Sequence, residues 1–475
     1  MKPVRFCIFL VFAFLSVLVY GQEKPNIILI LADDQAPDTI SALGHPHIKT
    51  PNLDRLVEAG TTFTNAYSQG ANQPAVCVPS RTMLNTGRFL WRARNRVTEI
   101  SRQMERTPEQ AAEHTSDVWS SLMRQGGYTT YFVGKWHVQG FKVQDVFEHL
   151  GTIRGGMPPS MDLAYNRPRE GANNPWTPYE SRFQGHWHGG KHWAEVFSDE
   201  SVRFIEEAAA KSEPFFMYLA SNSPHDPRQA PKEYVDMYPV EDMDVPANFL
   251  PEYPHKDVMG CPSNLRDERL APFPRTELAV RTHRREYYAI ISHLDSQVGQ
   301  ILDALEKSGK KNSTYIFYTA DQGLAVGAHG LFGKQNMFEH SMKSPLIVVG
   351  PGIPGKKKIE TPVYLQDIMP TSLEVAGMEI PKHVQFKSLL PLINGERDEQ
   401  YEAIYGAYMD RQRMVRKGDF KLILYPQGDV QILYDLKNDP HETTDLAKKP
   451  EYADKITELQ QELARLKKET GDPVR

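Results

Sequence analysis

Asn26-Ile27-Ile28-Leu29-Ile30-Leu31-Ala32-Asp33-Asp34 decides the fold. The run is apolar without alternation, and two carboxylates close it. That is how a strand buried on both faces reads, as in a parallel sheet. Residues 129–133, 215–220, 315–320 and 346–349 read the same way. Helical patterns lie between them. Thr50-Pro51 looks like an N-cap and first helical residue, Leu53, Leu56 and Val57 form a stripe, and Gly60 stands where a C-cap belongs. Tyr287, Ile290, Ile291, Leu294, Val298, Ile301, Leu302 and Leu305 recur at three- and four-residue spacing, ending near Gly309. Strands alternating with helices predict a doubly wound α/β sheet.

Two stretches break the rhythm. Residues 151–193 are rich in Gly, Pro, Trp and His, and residues 224–275 in Pro. They read as long loops over the sheet, either substrate-facing or surface decoration. Near the end, residues 413–415, 420–425 and 430–434 look like short antiparallel strands around turns at Gly418 and Gln427-Gly428. A last helix carries Ile456, Leu459, Leu463 and Leu466. The expected division is a catalytic α/β domain over 22–395 and a small α+β C-terminal subdomain over 396–475, after the turn-like Asn394-Gly395.

The composition is that of a globular protein, with 40% hydrophobic and 24% charged among 475 residues. A net charge of −5 makes nucleic acid a poor partner. Three cysteines are too few for a disulfide scaffold or a thiolate metal site. Residues 1–21 read as a secretory signal: Lys2 and Arg5 precede an apolar run over 6–19, and Val19-Tyr20-Gly21 offers a cleavage site. The run is shorter than the roughly 20 residues a membrane span needs. A periplasmic or secreted protein without a stable membrane anchor is expected; the rival is an uncleaved N-terminal anchor.

Ligands of open α/β sheets bind outside the carboxyl ends of the strands. After the first run come Asp33 and Asp34, after the second Gly134, Lys135, Trp136 and His137. His225 follows the third; Asp321, Gln322 and Gly323 follow the fourth, with Lys334 shortly after. Clustered carboxylates repel unless a cation neutralises them. Three Asp and an amide oxygen suit Ca²⁺ or Mg²⁺ rather than zinc. A single Asp would more simply cap a helix. Lys135, His137, His225 and Lys334 around a metal would bind an anion such as sulfate or phosphate; taken singly, each reads as a surface residue or a satisfied histidine.

The most specific segment is Cys77-Val78-Pro79-Ser80-Arg81-Thr82-Met83-Leu84-Asn85-Thr86-Gly87-Arg88. Pro79 suits an early helical position and Gly87 a stop. Cys77 is thus expected at a helix N-terminus, with a lowered thiol pKa, beside an anion site. A buried free cysteine or a disulfide to Cys261 is the alternative.

This segment resembles the formylglycine sulfatase signature, Cys-x-Pro-Ser-Arg followed by Thr-Gly-Arg. Residues 26–34, 50–56, 134–137, 223–225 and 321–323 resemble that family's motifs in order, as do 413–422 and 434–436. The resemblance implies a large mixed, mostly parallel α/β sheet flanked by helices, and a sulfuric ester hydrolase. It implies that a maturation enzyme oxidises Cys77 to formylglycine (3-oxoalanine). It also implies one Ca²⁺ held by Asp33, Asp34, Asp321, Gln322 and residue 77. Arg81, Lys135 and Lys334 would neutralise sulfate, Asp321 would accept the nucleophile's proton, His225 (with Lys334) would protonate the leaving oxygen, and His137 would expel sulfate. The family usually has Asn or His where Gln322 stands.

A sulfated carbohydrate is the expected substrate, whether algal polysaccharide (ulvan, carrageenan) or glycosaminoglycan. Trp176, His186, Trp187, His188 and Trp193 suit sugar rings, and Arg275, Arg281, Arg284 and Arg285 suit further sulfates or uronates, or else form a solvated helix start. The alternatives are a phosphodiesterase or phosphonate hydrolase of the same superfamily, and a non-catalytic carbohydrate-binding protein. Cys261 is expected to have no partner, leaving one thiol and no intrachain disulfide in the mature enzyme.

Overall fold

A computed structural model of the chain describes residues 24–102 and 114–474. The secretory signal and its cleavage site lie outside the described residues. Among these, no helix is long and apolar enough to cross a membrane.

Strand β1 (Asn26–Ala32) is buried along its whole length. Ile27, Leu29 and Leu31 enter one core layer, with Trp119, Phe132 and Phe216. Ile28, Ile30 and Ala32 enter the other, against Leu53 and Leu56 of the Pro51–Ala59 helix and Leu294 and Val298 of the Glu277–Lys307 helix. An unbroken apolar run is what a strand feeding two layers requires. The remaining strands are β2 (Thr61–Tyr67), β3 (Gly70–Ala71), β4 (Thr129–Lys135), β5 (His149–Arg154), β6 (Phe215–Ala220), β7 (Thr314–Ala320), β8 (Lys343–Val349), β9 (Lys357–Ile359), β10 (Val363–Tyr364), β11 (Ile404–Tyr408), β12 (Gln412–Lys417), β13 (Phe420–Tyr425) and β14 (Val430–Asp435). The large sheet runs β10-β2-β8-β7-β1-β6-β4-β5, with β9 beside β2. β1 pairs in parallel with both β6 and β7, so residues 33, 221 and 321 emerge together at one edge.

The sheet is mixed. β8, read from its apolar run as one more parallel strand, is antiparallel to β7 and β2. Burial on both faces sets composition, not direction. The Glu277–Lys307 helix begins ten residues before the predicted stripe, where the Thr276 hydroxyl accepts from Ala279 N at 3.2 Å. Gly60 ends its helix in extended rather than left-handed backbone; a Cβ there would strike the carbonyl of Val348.

The smaller sheet runs β14-β13-β12-β11-β3. β12 to β14 are antiparallel, and the Ala453–Thr470 helix buries Ile456, Leu459, Leu463 and Leu466. Its edge strand β3 lies six residues before Cys77 and pairs in parallel with β11. A two-residue strand has no readable pattern.

Gly134 has φ +98°, and a Cβ would collide with the carbonyl of Ala220 on β6. Gly134→Ala is expected to destabilise the protein by about 2–4 kcal/mol and to displace Lys135. Denaturant unfolding checks this; an unchanged midpoint would refute the steric argument.

Candidate active site

The edge formed by the carboxyl ends of β1, β4, β6 and β7 collects the charged residues expected there. Cys77 opens the Cys77–Thr86 helix, all ten residues of which are buried, and Gly87 ends it in left-handed backbone at φ +64°. Ligand atoms of Asp33, Asp34, Cys77 and Asp321 lie within 4.8 Å of one another. The Cys77 thiol donates to Asp33 Oδ1 at 3.4 Å, and Lys334 Nζ donates to Cys77 Sγ at 3.0 Å.

Each carboxylate has a cationic partner. Lys135 Nζ donates to Asp33 Oδ2 at 2.5 Å, Lys334 Nζ to Asp34 Oδ2 at 2.6 Å, and Arg81 Nε to Asp321 Oδ2 at 2.8 Å. Three protein cations thus face the three acids that could hold a metal ion. Burial pushes Asp33 up to about 7 despite Lys135. Asp321 is pushed up by burial too, yet Arg81, Lys135 and Lys334 hold it below the usual carboxylate range. Burial, then Asp33, lifts the Cys77 thiol to about 12. The expectation of a lowered thiol pKa is thus overturned. Burial beside carboxylates outweighs the helix end and the two lysines.

Asp34 leaves β1 at φ +67°, a conformation Asp tolerates better than most residues. It is held there by Tyr287, whose hydroxyl donates to Asp34 O at 2.6 Å, and by its own N–H, which donates to Asp321 Oδ1 at 3.2 Å. Tyr287 carried no signal of this, since its helical spacing reads as core. Gln322 donates from Nε2 to Asp34 Oδ1 and, at 3.3 Å, to Cys77 Sγ, while its buried Oε1 has no partner. Amide orientation is assigned from such networks. Turned over, the oxygen would join the carboxylates, an arrangement only a cation stabilises. The donor set is all oxygen apart from residue 77, which fits Ca²⁺.

His225 donates from Nδ1 to Asp226 O at 2.8 Å, and its Nε2 lies 3.6 Å from Asp34 Oδ2. Burial and then Lys334 hold its ring neutral. His137, at φ +49°, is lowered to about 3 by burial and by Lys135, Arg81 and Lys334, and its Nδ1 has no partner. Buried Arg81 Nη2 also lacks a hydrogen-bond partner.

Above Cys77 lies a cavity of about 320 Å³, lined by His137, His225, Lys334 and both long loops, through Gly156, Met157, Leu265, Arg266 and Asp267. The aromatic, histidine and arginine residues expected to contact sugar and further anions do not line it. Trp176 is buried under Arg167, 3.7 Å from its ring. Trp187 packs on His192, Trp193 Nε1 donates to His188 O, and exposed His188 pairs with Gln184. His186 is buried and donates to the carbonyl of His225 at 3.0 Å, so it buttresses the site from behind. Arg275 is locked to Glu268 at 2.5 Å, Arg281 bonds Met243 O, Arg284 pairs with Asp244, and Arg285 reaches Val235 O. Among the described residues Cys77 and Cys261 are both free and buried.

The family model described as Sulfatase matches residues 25–378. The chain belongs to the sulfatase family. As a sulfatase it is a sulfuric ester hydrolase, and the model for the N-sulphoglucosamine sulphohydrolase C-terminal region matches residues 327–469. It is 27% identical to an N-acetylglucosamine-6-O-sulfatase of Bacteroides thetaiotaomicron, over 95% of this chain and 87% of that one. It is 28% identical to an arylsulfatase of Clostridium perfringens, over 92% and 93%. A solved structure in complex with D-glucosamine-2-N,6-O-disulfate superposes with a TM-score of 0.71 at 25% identity, covering 95% of this sulfatase and 99% of that chain.

Proposed function

We propose that the protein hydrolyses sulfate esters of a carbohydrate, with formylglycine made from Cys77 by a maturation enzyme and with one Ca²⁺. Asp33, Asp34, Asp321, Gln322 and residue 77 would hold the ion. The observation that carries the reading is the convergence of Cys77 with three acids and three cations, beneath a cavity that Cys77, Lys334 and two neutral histidines line. The hydrated aldehyde would supply the nucleophile, and its collapse releases sulfate without hydrolysis of a second ester. Bound Ca²⁺ would supply two further positive charges to a site that is otherwise balanced. An arriving sulfate monoester and an ionised hydroxyl bring two negative ones, so the loaded site is matched to the reacting state rather than to the resting one.

Within that frame Arg81 Nη2, Lys135 and Lys334 bind the sulfate oxygens. Asp321, held ionised, accepts a proton from the hydroxyl at position 77. His225, whose resting proton sits on Nδ1, would take up a second at Nε2 from solvent and pass it to the departing oxygen, and the Asp226 carboxylate, 3.3 Å from Nδ1, favours that charged form. His137 is neutral with a free Nδ1, the state a base needs to take the proton whose loss expels sulfate. The carbohydrate reading is supported by the relative that acts on N-acetylglucosamine 6-sulfate and by the neighbour with bound glucosamine disulfate. Export to the periplasm or beyond is proposed from residues 1–21 alone.

Two measurements test this. Peptide mass spectrometry from the native host is expected to find residue 77 as formylglycine, and the denatured protein to titrate with one thiol, from Cys261. Unmodified Cys77 together with two thiols would contradict the reading. Gln322→Ala is expected to weaken Ca²⁺ binding by about tenfold or more; unchanged retention by calorimetry would remove Gln322 from the ligands.

A further inference from the structure

We propose that Arg266 and Asp267 read the departing sugar, and that they select one bearing neutral hydroxyls over one carrying a second anion. This rests on the sulfatase reading above and names its substrate class.

The cavity over Cys77 has an apolar wall of Pro74, Ala75, Met157 and Leu265. Apart from the reaction centre, its remaining lining residues with polar side chains are Arg266, Asp267 and Gln335. Gln335 is already spent: Nε2 donates to Asp267 Oδ2 at 2.6 Å, and Oε1 accepts from Lys334 N at 3.0 Å. Hydrogen-bond recognition of the leaving group therefore falls to Arg266 and Asp267.

The Arg266 guanidinium lies between two carboxylates, pairing with Asp226 through Nη1 and with Asp267 through Nη2. Arg266 lines the cavity with its side chain 32% exposed, and a guanidinium has five N–H donors, more than these two contacts use. Asp267 is nearly buried, and its oxygens have acceptor capacity beyond Arg266 and Gln335. A donor and an acceptor side by side match two neighbouring hydroxyls, one accepting from Arg266 and one donating to Asp267.

The charge sum decides the class. Arg266, Asp267 and the buried Asp226 carboxylate behind Arg266 together carry one net negative charge. A second sulfate or a uronate would meet repulsion in a partly desolvated place, whereas a hydroxyl meets none. The arginines that sequence alone offered for extra anions are held elsewhere. Arg266 also grips Asp226, whose carboxylate faces His225 Nδ1 at 3.3 Å. A sugar seated on Arg266 is thereby linked to the ring that faces its departing oxygen.

Sulfate release is measured on the matured enzyme with three probes: p-nitrophenyl sulfate, a hexose monosulfate, and the same hexose carrying a second sulfate. The wild type is expected to favour the monosulfate over the disulfate by at least about tenfold in kcat/KM. A preference for the disulfate, or none, would overturn the proposal. In Asp267→Asn, the ratio of hexose monosulfate to aryl sulfate kcat/KM is expected to fall about ten- to a hundredfold. A ratio within twofold of wild type, in a variant melting at the wild-type temperature, would also overturn it. Absence of sulfate release from every probe by the wild type, with formylglycine present, would instead sink the underlying sulfatase reading.

Discussion

Cys77→Ala is expected to lower sulfate release at least about ten-thousand-fold, the scale on which removal of a covalent nucleophile acts. The fold should survive. The side chain is small, and the helix it opens is anchored elsewhere by Ser80, whose hydroxyl donates to Asp321 O at 2.6 Å, and by Arg81. Cys77→Ser is the sharper variant. A serine hydroxyl could attack sulfur once, but the product is an ordinary sulfate ester with no second hydroxyl to expel it. The variant should therefore release one equivalent of alcohol per enzyme and then stall with sulfate retained on residue 77. Single-turnover kinetics with intact-mass measurement reads this directly. Repeated turnover at the wild-type rate would show that no aldehyde is needed.

Much of this site was legible because strand ends are legible. An apolar run that feeds two core layers must stop where polar residues begin, and β1, β4, β6 and β7 stop at Asp33, Lys135, Ser221 and Asp321. Parallel pairing then gathers those stops at one edge. Strand direction was not legible: β8 carries the same composition as its parallel neighbours and runs the other way. Nor was the state of the thiol, because helix position is local while burial depends on the whole fold. The loops misled most. Trp and Arg suggest sugar and sulfate contacts only if exposed, and here Trp176 and Arg275 are buried in partnerships of their own. Arg266 and Asp267 sat in the same stretch without pattern. Only their approach to the cavity over Cys77, some 190 residues earlier in the chain, gives them meaning.

Arg81→Ala should be the most damaging of these changes to stability, and should cost activity as well. The guanidinium is fully buried; Nε donates to Asp321 Oδ2 at 2.8 Å, Nη1 to Lys135 O at 2.7 Å, and Nη2 lies 3.6 Å from Asp33 Oδ1. Its loss leaves Asp321 without its nearest cation and frees the carbonyl that precedes Trp136. Breaking a buried pair from one side costs about 3–5 kcal/mol. Activity should fall by about a hundredfold or more, since Nη2 is a preorganised donor with no resting hydrogen-bond partner. Arg81→Lys separates the two effects. It restores the charge but not the planar fork, so it should regain part of the lost stability while remaining poorly active. With one positive charge removed, the acid cluster has a net negative charge and should hold a divalent cation more strongly. Added Ca²⁺ should then raise the melting midpoint of Arg81→Ala by more than that of the wild type, relative to chelator. Equal shifts in the two proteins would mean that the ion is not bound by the carboxylates Arg81 touches, and the ligand assignment of Asp33 and Asp321 would fall with it.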